Sequence, residues 1–246
     1  AASVEEAEAE ADFILDLVKD YPISFPIAFD AEDAGTLGTL TPSQVSDVIN
    51  AFCRKIEDAG YHPMVYSNEY WMNNKIDRSK LDYDVWIARY NVMHTYSNPA
   101  MWQATSTGSI NGISGNVDID FLYKDFSSVI PANTWRTIGD KTYYYQDYIM
   151  QKSTWIDDGD GWYYMDSEGS PSKGWLTLSG SSYYLDEDSG KMITGWKQLD
   201  GDYYYFKPSG AMDTGWASVD GAWYYLDDDG KMQTGWQEIG GEQYYL

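Results

Sequence analysis

Apolar positions in the first half of the chain alternate between helical spacing and short runs rich in β-branched and aromatic residues. Ser3 and Glu6 form a capping-box pattern ahead of an apolar helical face, which predicts a helix from residue 3 to about residue 20. Thr41 and Pro42 give a second N-terminal signature, for a helix that ends near Gly60.

Five short runs between and after these helices predict strands. They are PISFPIAFD, HPMVYS, DVWIARY, MWQATS and GNVDIDFLY, and a short helix, NEYWMNN, follows the second. Helices and strands in this order are typical of an α/β fold with a parallel or mostly parallel sheet covered by helices. In folds of this kind the chemistry lies at the carboxyl ends of the strands.

The second half has a different pattern, rich in Tyr, Trp, Gly and Asp. Six tryptophans recur 20 or 21 residues apart, at Trp135, Trp155, Trp175, Trp196, Trp216 and Trp236. The fullest unit, GAWYYLDDDGKMQTGW, has the signature of a β-hairpin. Since a lone hairpin is marginal in water, the period predicts an all-β solenoid of stacked aromatic hairpins. The change in composition predicts two domains, at residues 1–130 and 131–246.

The composition narrows the range of partners. With 39 acidic and 16 basic residues the formal charge is -23, which repels nucleic acid and anionic membrane surfaces and attracts cationic ligands. No run approaches the ~20 apolar residues of a membrane helix, so membrane insertion is not expected. Cys53, the only cysteine, is expected to be a buried structural thiol. We expect no metal and no other cofactor.

Two carboxylates follow the first predicted strand. Asp30 and Glu32 lie two positions apart, so in an extended segment both project to the same side. Two carboxylates held close together do not ionise easily, and one is pushed toward the protonated form that a general acid needs at neutral pH. The pair is therefore a candidate acid catalyst, and the alternative is a solvated loop in a very acidic protein.

The segments FPIAFDAED, HPMVYSN, VWIARY and MWQATSTGSINGISGNVDID resemble, in order and spacing, the later strands of family 25 lysozymes, across residues 1–126. The resemblance implies an irregular β/α barrel that hydrolyses the bond between N-acetylmuramic acid and N-acetylglucosamine in peptidoglycan. By position, it implies that Glu32 protonates the glycosidic oxygen, Asp30 assists at the sugar and Asp118 completes part of the carboxylate cluster. The residues implied to line or support the sugar groove are Tyr66, Trp86, Tyr90, Trp102 and Gln103. As an alternative, Tyr66 and Trp86 are core aromatic residues.

The first strands of that family, which carry an Asp-x-Ser motif, have no counterpart in this sequence. We therefore expect an incomplete TIM-like β/α barrel with open sheet edges. Such a chain is a fragment, pairs with a missing piece or has rearranged.

The aromatic repeats resemble the choline-binding repeats of pneumococcal and clostridial wall hydrolases, through GxMxTGW at residues 190–196, 210–216 and 230–236. The resemblance implies open aromatic cages that hold the quaternary ammonium group of choline by cation–π attraction. The implied cages are Trp216, Trp223 and Trp236; Trp196, Tyr203 and Trp216; and Trp155, Trp162 and Trp175. Ser182 replaces an aromatic wall, so the cage between Trp175 and Trp196 is expected to be weak or absent. A purely structural array is the alternative.

These features predict an extracellular or wall-bound muramidase, a secreted autolysin or a phage endolysin, whose repeats hold choline on teichoic acid. Linking the two parts keeps the catalyst at a high effective concentration on its polymer. One alternative is a non-catalytic cell-wall binding protein, for choline or glycan, with an incomplete hydrolase domain. A third class is a carbohydrate-binding array that uses similar aromatic hairpins.

Overall fold

The helices of the first half lie where the capping signals predict them. In the computed structural model, which describes residues 1–246, the helices are α1 (Val4–Val18), α2 (Pro42–Asp58) and α3 (Glu69–Asn74). The Ser3 side chain caps α1 by accepting the backbone N–H of Glu6, and Thr41 and Gln44 form a reciprocal capping box at the start of α2. None of the helices is long and apolar enough to cross a membrane.

All five predicted strands of the first half pair in one sheet. They are β1 (Ile27–Asp30), β2 (Pro63–Asn68), β3 (Asp84–Ala88), β4 (Met101–Gly108) and β5 (Val117–Leu122). The strands lie in sequence order, β1 to β4 are parallel, and β5 runs antiparallel to β4. Because β1 and β5 form the two edges, the sheet is open and does not close into a barrel.

The two faces of this sheet have different surroundings. One face packs against α2, where the buried rings of Phe29 and Phe52 lie 5.1 Å apart. The opposite face, which we call the inner face, carries Asp30, Tyr66 and Trp86 side by side on three neighbouring strands. The candidate catalytic residues therefore lie on the face away from α2.

The first aromatic hairpin belongs structurally with the α/β part. Its strands are β6 (Thr134–Ile138), β7 (Lys141–Gln146) and β8 (Ile149–Met150). The guanidinium carbon of Arg136, which is 1% exposed, lies 4.1 and 4.4 Å from the ring centroids of Tyr61 and Tyr145. The Tyr145 hydroxyl donates to the carbonyl of Lys19 at 2.8 Å. The chain divides into the units Ala1–Met150 and Gln151–Leu246, and the division falls later than residue 130 because of these contacts.

The second unit consists of five antiparallel hairpins. Their strands are β9 (Thr154–Asp157) and β10 (Trp162–Met165), β11 (Gly174–Leu178) and β12 (Ser181–Leu185), β13 (Gly195–Leu199) and β14 (Asp202–Phe206), β15 (Gly215–Val219) and β16 (Ala222–Leu226), and β17 (Trp236–Ile239) and β18 (Glu242–Tyr245). The turn at Asp200 and Gly201 has φ of 51° and 95°, and positive φ at both positions matches the twist of a tight hairpin.

The paired tyrosines of each hairpin face opposite ways and connect neighbouring hairpins. Tyr184 lies across the ladder from Trp175 of its own hairpin, with ring centroids 5.3 Å apart. Tyr183 points the other way and contacts Trp155 of the preceding hairpin at 5.0 Å. The same relation recurs between Trp175 and Tyr204, so each hairpin buries part of its aromatic surface against the next.

Candidate active site and aromatic cages

Asp30 and Glu32 lie together where β1 ends. Asp30 is the last residue of β1, and its carboxylate accepts the backbone N–H of Glu32. Partial burial, and next the negative charge of Glu32, raise the pKa of Asp30 above its ordinary value. The two carboxylates therefore lie close enough to interact at the end of β1.

The Glu32 carboxylate faces an open cavity of about 490 Å³ at the ends of β2 and β3. The cavity is lined by Glu32, Asn68, Glu69, Tyr70, Asn73, Ala88, Arg89 and Tyr90. Asn68 contacts Glu32 Oε2 twice, through its side-chain amide and through its backbone N–H at 3.2 Å. Arg89 forms an ion pair with Glu69, which also accepts two hydrogen bonds from Thr95. The cavity thus has a largely polar, hydrogen-bonded lining, of which only Glu32 and Tyr90 were expected from the sequence.

Three of the predicted groove residues form one hydrogen-bonded group. The hydroxyls of Tyr66 and Tyr90 both donate to Gln103 Oε1, at 2.8 and 2.7 Å. Gln103 is 3% exposed, so its amide is a fixed acceptor that orients both phenols. Burial, first among several causes that include the charge of Glu32, raises the pKa of Tyr66. Tyr66 therefore remains a neutral phenol close to both carboxylates.

Trp86 continues this group toward β5. Its ring meets the Tyr66 ring edge to face with centroids 4.8 Å apart, and its indole N–H donates to Asp120 Oδ1 at 2.8 Å. Asp118 and Asp120 lie two positions apart on β5 and share a face, and the charge of Asp118 adds to partial burial in raising the pKa of Asp120. Asp120, which the sequence did not single out, therefore holds the indole, and Asp118 lies beside it on the same face of β5.

Trp102 has a supporting role. It follows Met101 and precedes Gln103 on β4, so its side chain lies on the opposite face from the Gln103 amide. The indole N–H donates to the carbonyl of Arg89 at 2.9 Å, and the ring stacks on Phe121 at 5.2 Å. Trp102 thus fixes the backbone at the rim of the cavity.

In the second unit, the rings of one hairpin and its successor enclose a cavity of about 330 Å³. Its lining consists of Trp155, Trp162, Tyr183, Met192, Pro208 and Ser209. The Met192 backbone N–H donates to the Trp162 carbonyl at 2.7 Å, which fixes the methionine beside the rings. We call this site cage 1.

The contacts of cage 1 recur along the array. The corresponding residues are Trp175, Ser182, Tyr204 and Met212 in cage 2; Trp196, Tyr203, Tyr224 and Met232 in cage 3; and Trp216, Trp223 and Tyr244 in cage 4. In cages 2 and 3 the methionine N–H reaches the Ser182 and Tyr203 carbonyls at 2.7 and 2.8 Å. Cage 2 has a serine hydroxyl where the other three have an aromatic ring, as the sequence predicts.

The third aromatic wall differs from the sequence prediction. The expected walls Trp175, Trp216 and Trp236 of the following hairpins are replaced by the tyrosines Tyr183, Tyr224 and Tyr244. The reason is that Trp175 packs against Tyr184 of its own hairpin and Tyr204 of the next hairpin. Its ring therefore lines the cage between those two hairpins and is not available to the preceding cage. Trp236 contacts Tyr245 of its own hairpin and is 71% exposed.

Comparisons with known families agree with this division. Residues 1–113 match the model for glycosyl hydrolases family 25, and residues 152–194, 193–232 and 213–246 match the model for the choline-binding repeat. The chain therefore combines a hydrolase-type α/β segment with an array of wall-binding-type repeats. The α/β segment is of glycosyl hydrolase family 25, and the hairpins are choline-binding repeats. No curated protein matches the chain.

Several solved structures are similar to parts or all of the chain. Choline binding protein F from Streptococcus pneumoniae is 42% identical over 43% of this chain and 39% of its own, with a TM-score of 0.39. CbpJ from the same species is 34% identical over 58% and 46%, with a TM-score of 0.43. The multimodular pneumococcal cell-wall endolysin from phage Cp-1 is 26% identical over 100% and 75%, with a TM-score of 0.38. The chain thus spans less than half the length of the first two proteins.

Proposed function

We propose that this protein is a wall-lytic muramidase that hydrolyses the β-1,4 bond between N-acetylmuramic acid and N-acetylglucosamine in peptidoglycan. The observation that carries the proposal is the coupled pair Asp30 and Glu32 at a strand end, with Glu32 facing a polar cavity. The family 25 match over residues 1–113 covers both carboxylates.

In this reaction Glu32 donates its proton to the glycosidic oxygen as the bond to the sugar breaks. Asp30 lies beside it and assists at the sugar, where positive charge develops. Asp118 adds a third carboxylate from β5, on the same face as Asp120. The phenols of Tyr66 and Tyr90 and the indole of Trp86 offer the ring faces and hydrogen-bonding groups that a sugar chain needs.

The second proposed activity is attachment to the cell wall. Cages 1, 3 and 4 each bring three aromatic rings together, and such rings attract a quaternary ammonium group by about 2 kcal/mol when desolvated. The formal charge of -23 adds long-range attraction for a cation. We propose choline on teichoic acid as the ligand and an extracellular, wall-associated location.

A specific observation favours a second candidate function, that of a non-catalytic wall-binding protein. We interpret the five-stranded sheet as an incomplete β/α barrel, and its edge strand β1 carries Asp30 and Ala28 exposed on the inner face. A glycan bound beside this edge strand would be exposed to solvent, whereas in a closed barrel a neighbouring strand would cover that side. For this candidate function, the repeats bind the cell wall and the α/β segment does not hydrolyse peptidoglycan.

A comparison of cell-wall lysis by the unmodified protein and by Glu32→Gln, on choline-containing walls, distinguishes the two candidate functions. The amide cannot donate the acid proton, so lysis should fall by at least about a hundredfold while elution from a quaternary-amine resin by free choline is unchanged. Glu8→Gln, an exposed change on α1, is the matched control and should keep both properties. Resin binding without lysis in the unmodified chain would favour the non-catalytic candidate, and a chain that does not bind the resin would contradict the choline proposal.

A further inference from the structure

Asn68 performs two tasks at the junction of β2 and α3. It is the last residue of β2 and the N-cap of α3, and its Oδ1 accepts the backbone N–H of Trp71 at 3.0 Å. This bond fixes the orientation of the amide, so the side-chain NH2 group faces Glu32. The helix cap therefore aims a donor at the proposed acid.

Both donors of Asn68 reach the same carboxylate oxygen. The side-chain Nδ2 and the backbone N–H donate to Glu32 Oε2, and the carboxylate faces the cavity. An oxygen that accepts two N–H groups is a poor position for a proton, which leaves Oε1 as the oxygen that carries it. The contact thus distinguishes the two oxygens of one side chain.

We infer that Asn68 is the positioning residue of the acid: it holds Glu32 Oε2 and presents Oε1 to the scissile bond. This inference rests on the proposed function. When Oε1 gives its proton to the glycosidic oxygen, the bond between that oxygen and the anomeric carbon breaks, its electron pair stays on the oxygen, and Glu32 becomes a carboxylate. The electron-deficient anomeric carbon then gains an oxygen from water, whose proton is released, so the net reaction is hydrolysis. The two N–H groups then stabilise the new negative charge without any movement.

Six other titratable or charged groups surround Glu32, and two of them are the phenols of Tyr70 and Tyr90 in the cavity lining. Asp30 approaches from β1 and Tyr66 from β2, and both are electrostatically coupled to Glu32. Glu69 on α3 and Arg89 after β3 line the same cavity and neutralise each other as an ion pair. A test by titration must therefore change Asn68 alone.

The test compares Asn68→Asp with Asn68→Ser. Both residues are good N-caps, so α3 is kept, but serine removes the amide donor and aspartate replaces it with a negative oxygen. In Asn68→Asp the pH midpoint of the Glu32 carboxyl ¹³C resonance should rise by about one pH unit or more, because like charge disfavours ionisation. Asn68→Ser, which keeps the backbone donor, should show a smaller change in the same direction.

Asn73→Asp is the matched control, because it adds the same charge to the lining of the same cavity from the next turn of α3. Its midpoint shift should be less than half that of Asn68→Asp. If the protein lyses walls, both Asn68 variants should lose about tenfold in maximal rate with little change in the half-saturating wall concentration. An equal shift in Asn73→Asp, or none in Asn68→Asp, would overturn the inference. Absence of lysis would count against the proposed function alone, since the titration is read without it.

Discussion

The residue before each Tyr-Tyr pair determines how many aromatic walls a hairpin offers. Trp162, Tyr203 and Trp223 occupy this position in cages 1, 3 and 4, and Ser182 occupies it in cage 2. The neighbours of Ser182 are otherwise those of a complete cage, since Trp175 contacts Tyr204 at 5.1 Å and the Met212 N–H reaches the Ser182 carbonyl. One side chain thus separates cage 2 from the others.

Ser182→Tyr should therefore create a choline site. The added ring supplies the missing wall, and cation–π attraction requires several ring faces around one ammonium group. Titration calorimetry should show one more choline bound per chain than in the unmodified protein. Ser181→Tyr is the control, because position 181 projects to the other face of the same strand. An unchanged stoichiometry for Ser182→Tyr, or an equal gain for Ser181→Tyr, would mean that the cages are not built as described.

At the scale of single residues the sequence predicts the Asp30 and Glu32 pair because their spacing is local. It does not predict Asn68 or Asp120, whose partners Glu32 and Trp86 lie 36 and 34 positions away. The Asn68 contact depends on the pairing of β1 with β2, and the Asp120 contact depends on the pairing of both β3 and β5 with β4. The only local signal for Asn68 is its position as a helix cap after a strand.

At the scale of elements, methionines and glycines set the spacing of the hairpins. A Cβ atom added to Gly210 would lie 2.1 Å from the Met192 sulfur, and one added to Gly230 would lie 2.3 Å from the Met212 sulfur. Both glycines have positive φ, of 81° and 82°. Any side chain at either position must therefore displace a methionine beside a cage and also strain the backbone.

Gly210→Ala should consequently lose choline binding at cage 1. Gly230→Ala displaces the methionine of cage 2, which lacks an aromatic wall, so it should keep the choline stoichiometry of the unmodified chain. Gly215→Ala controls for backbone strain alone, since its φ is 74° and its added Cβ has nothing within 4 Å. We expect it to cost about 1 kcal/mol of unfolding free energy, and the other two more. Calorimetric titration and thermal melting check these outcomes, and a loss of choline binding in Gly230→Ala equal to that in Gly210→Ala would contradict them.

The elements themselves follow from local signals. The start of α2 is predicted by the capping signal of Thr41 and Pro42. The hairpins are predicted by the regular spacing of tryptophans along the second half of the sequence. The third wall of each cage is not predictable in this way, because it comes from packing between hairpins. Because successive side chains of a strand point to opposite faces, Tyr183 faces Trp155 of the preceding hairpin. Trp175 instead contacts Tyr204 and so belongs to the next cage, cage 2.

At the scale of the molecule, composition indicates two parts but not where they divide. The first hairpin has the aromatic composition of the repeats, and yet Arg136 and Tyr145 pack with Tyr61 in the first unit. The buried guanidinium of Arg136 packs between the rings of Tyr61 and Tyr145. Its contact with Tyr61 joins residues far apart in the sequence, so no local sequence pattern predicts it. The open sheet is similarly a property of strand pairing, which joins residues that are far apart in the sequence.

The proposed muramidase activity is defined by the bond that the molecule breaks. The most direct measurement is to digest choline-containing cell walls, reduce the products with borohydride and identify the sugar at each new reducing end. A muramidase cleaves on the reducing side of N-acetylmuramic acid, so we expect reduced muramic acid from the unmodified protein and none above background from Glu32→Gln. New reducing ends on N-acetylglucosamine, or fragments released with no new reducing end, would contradict it.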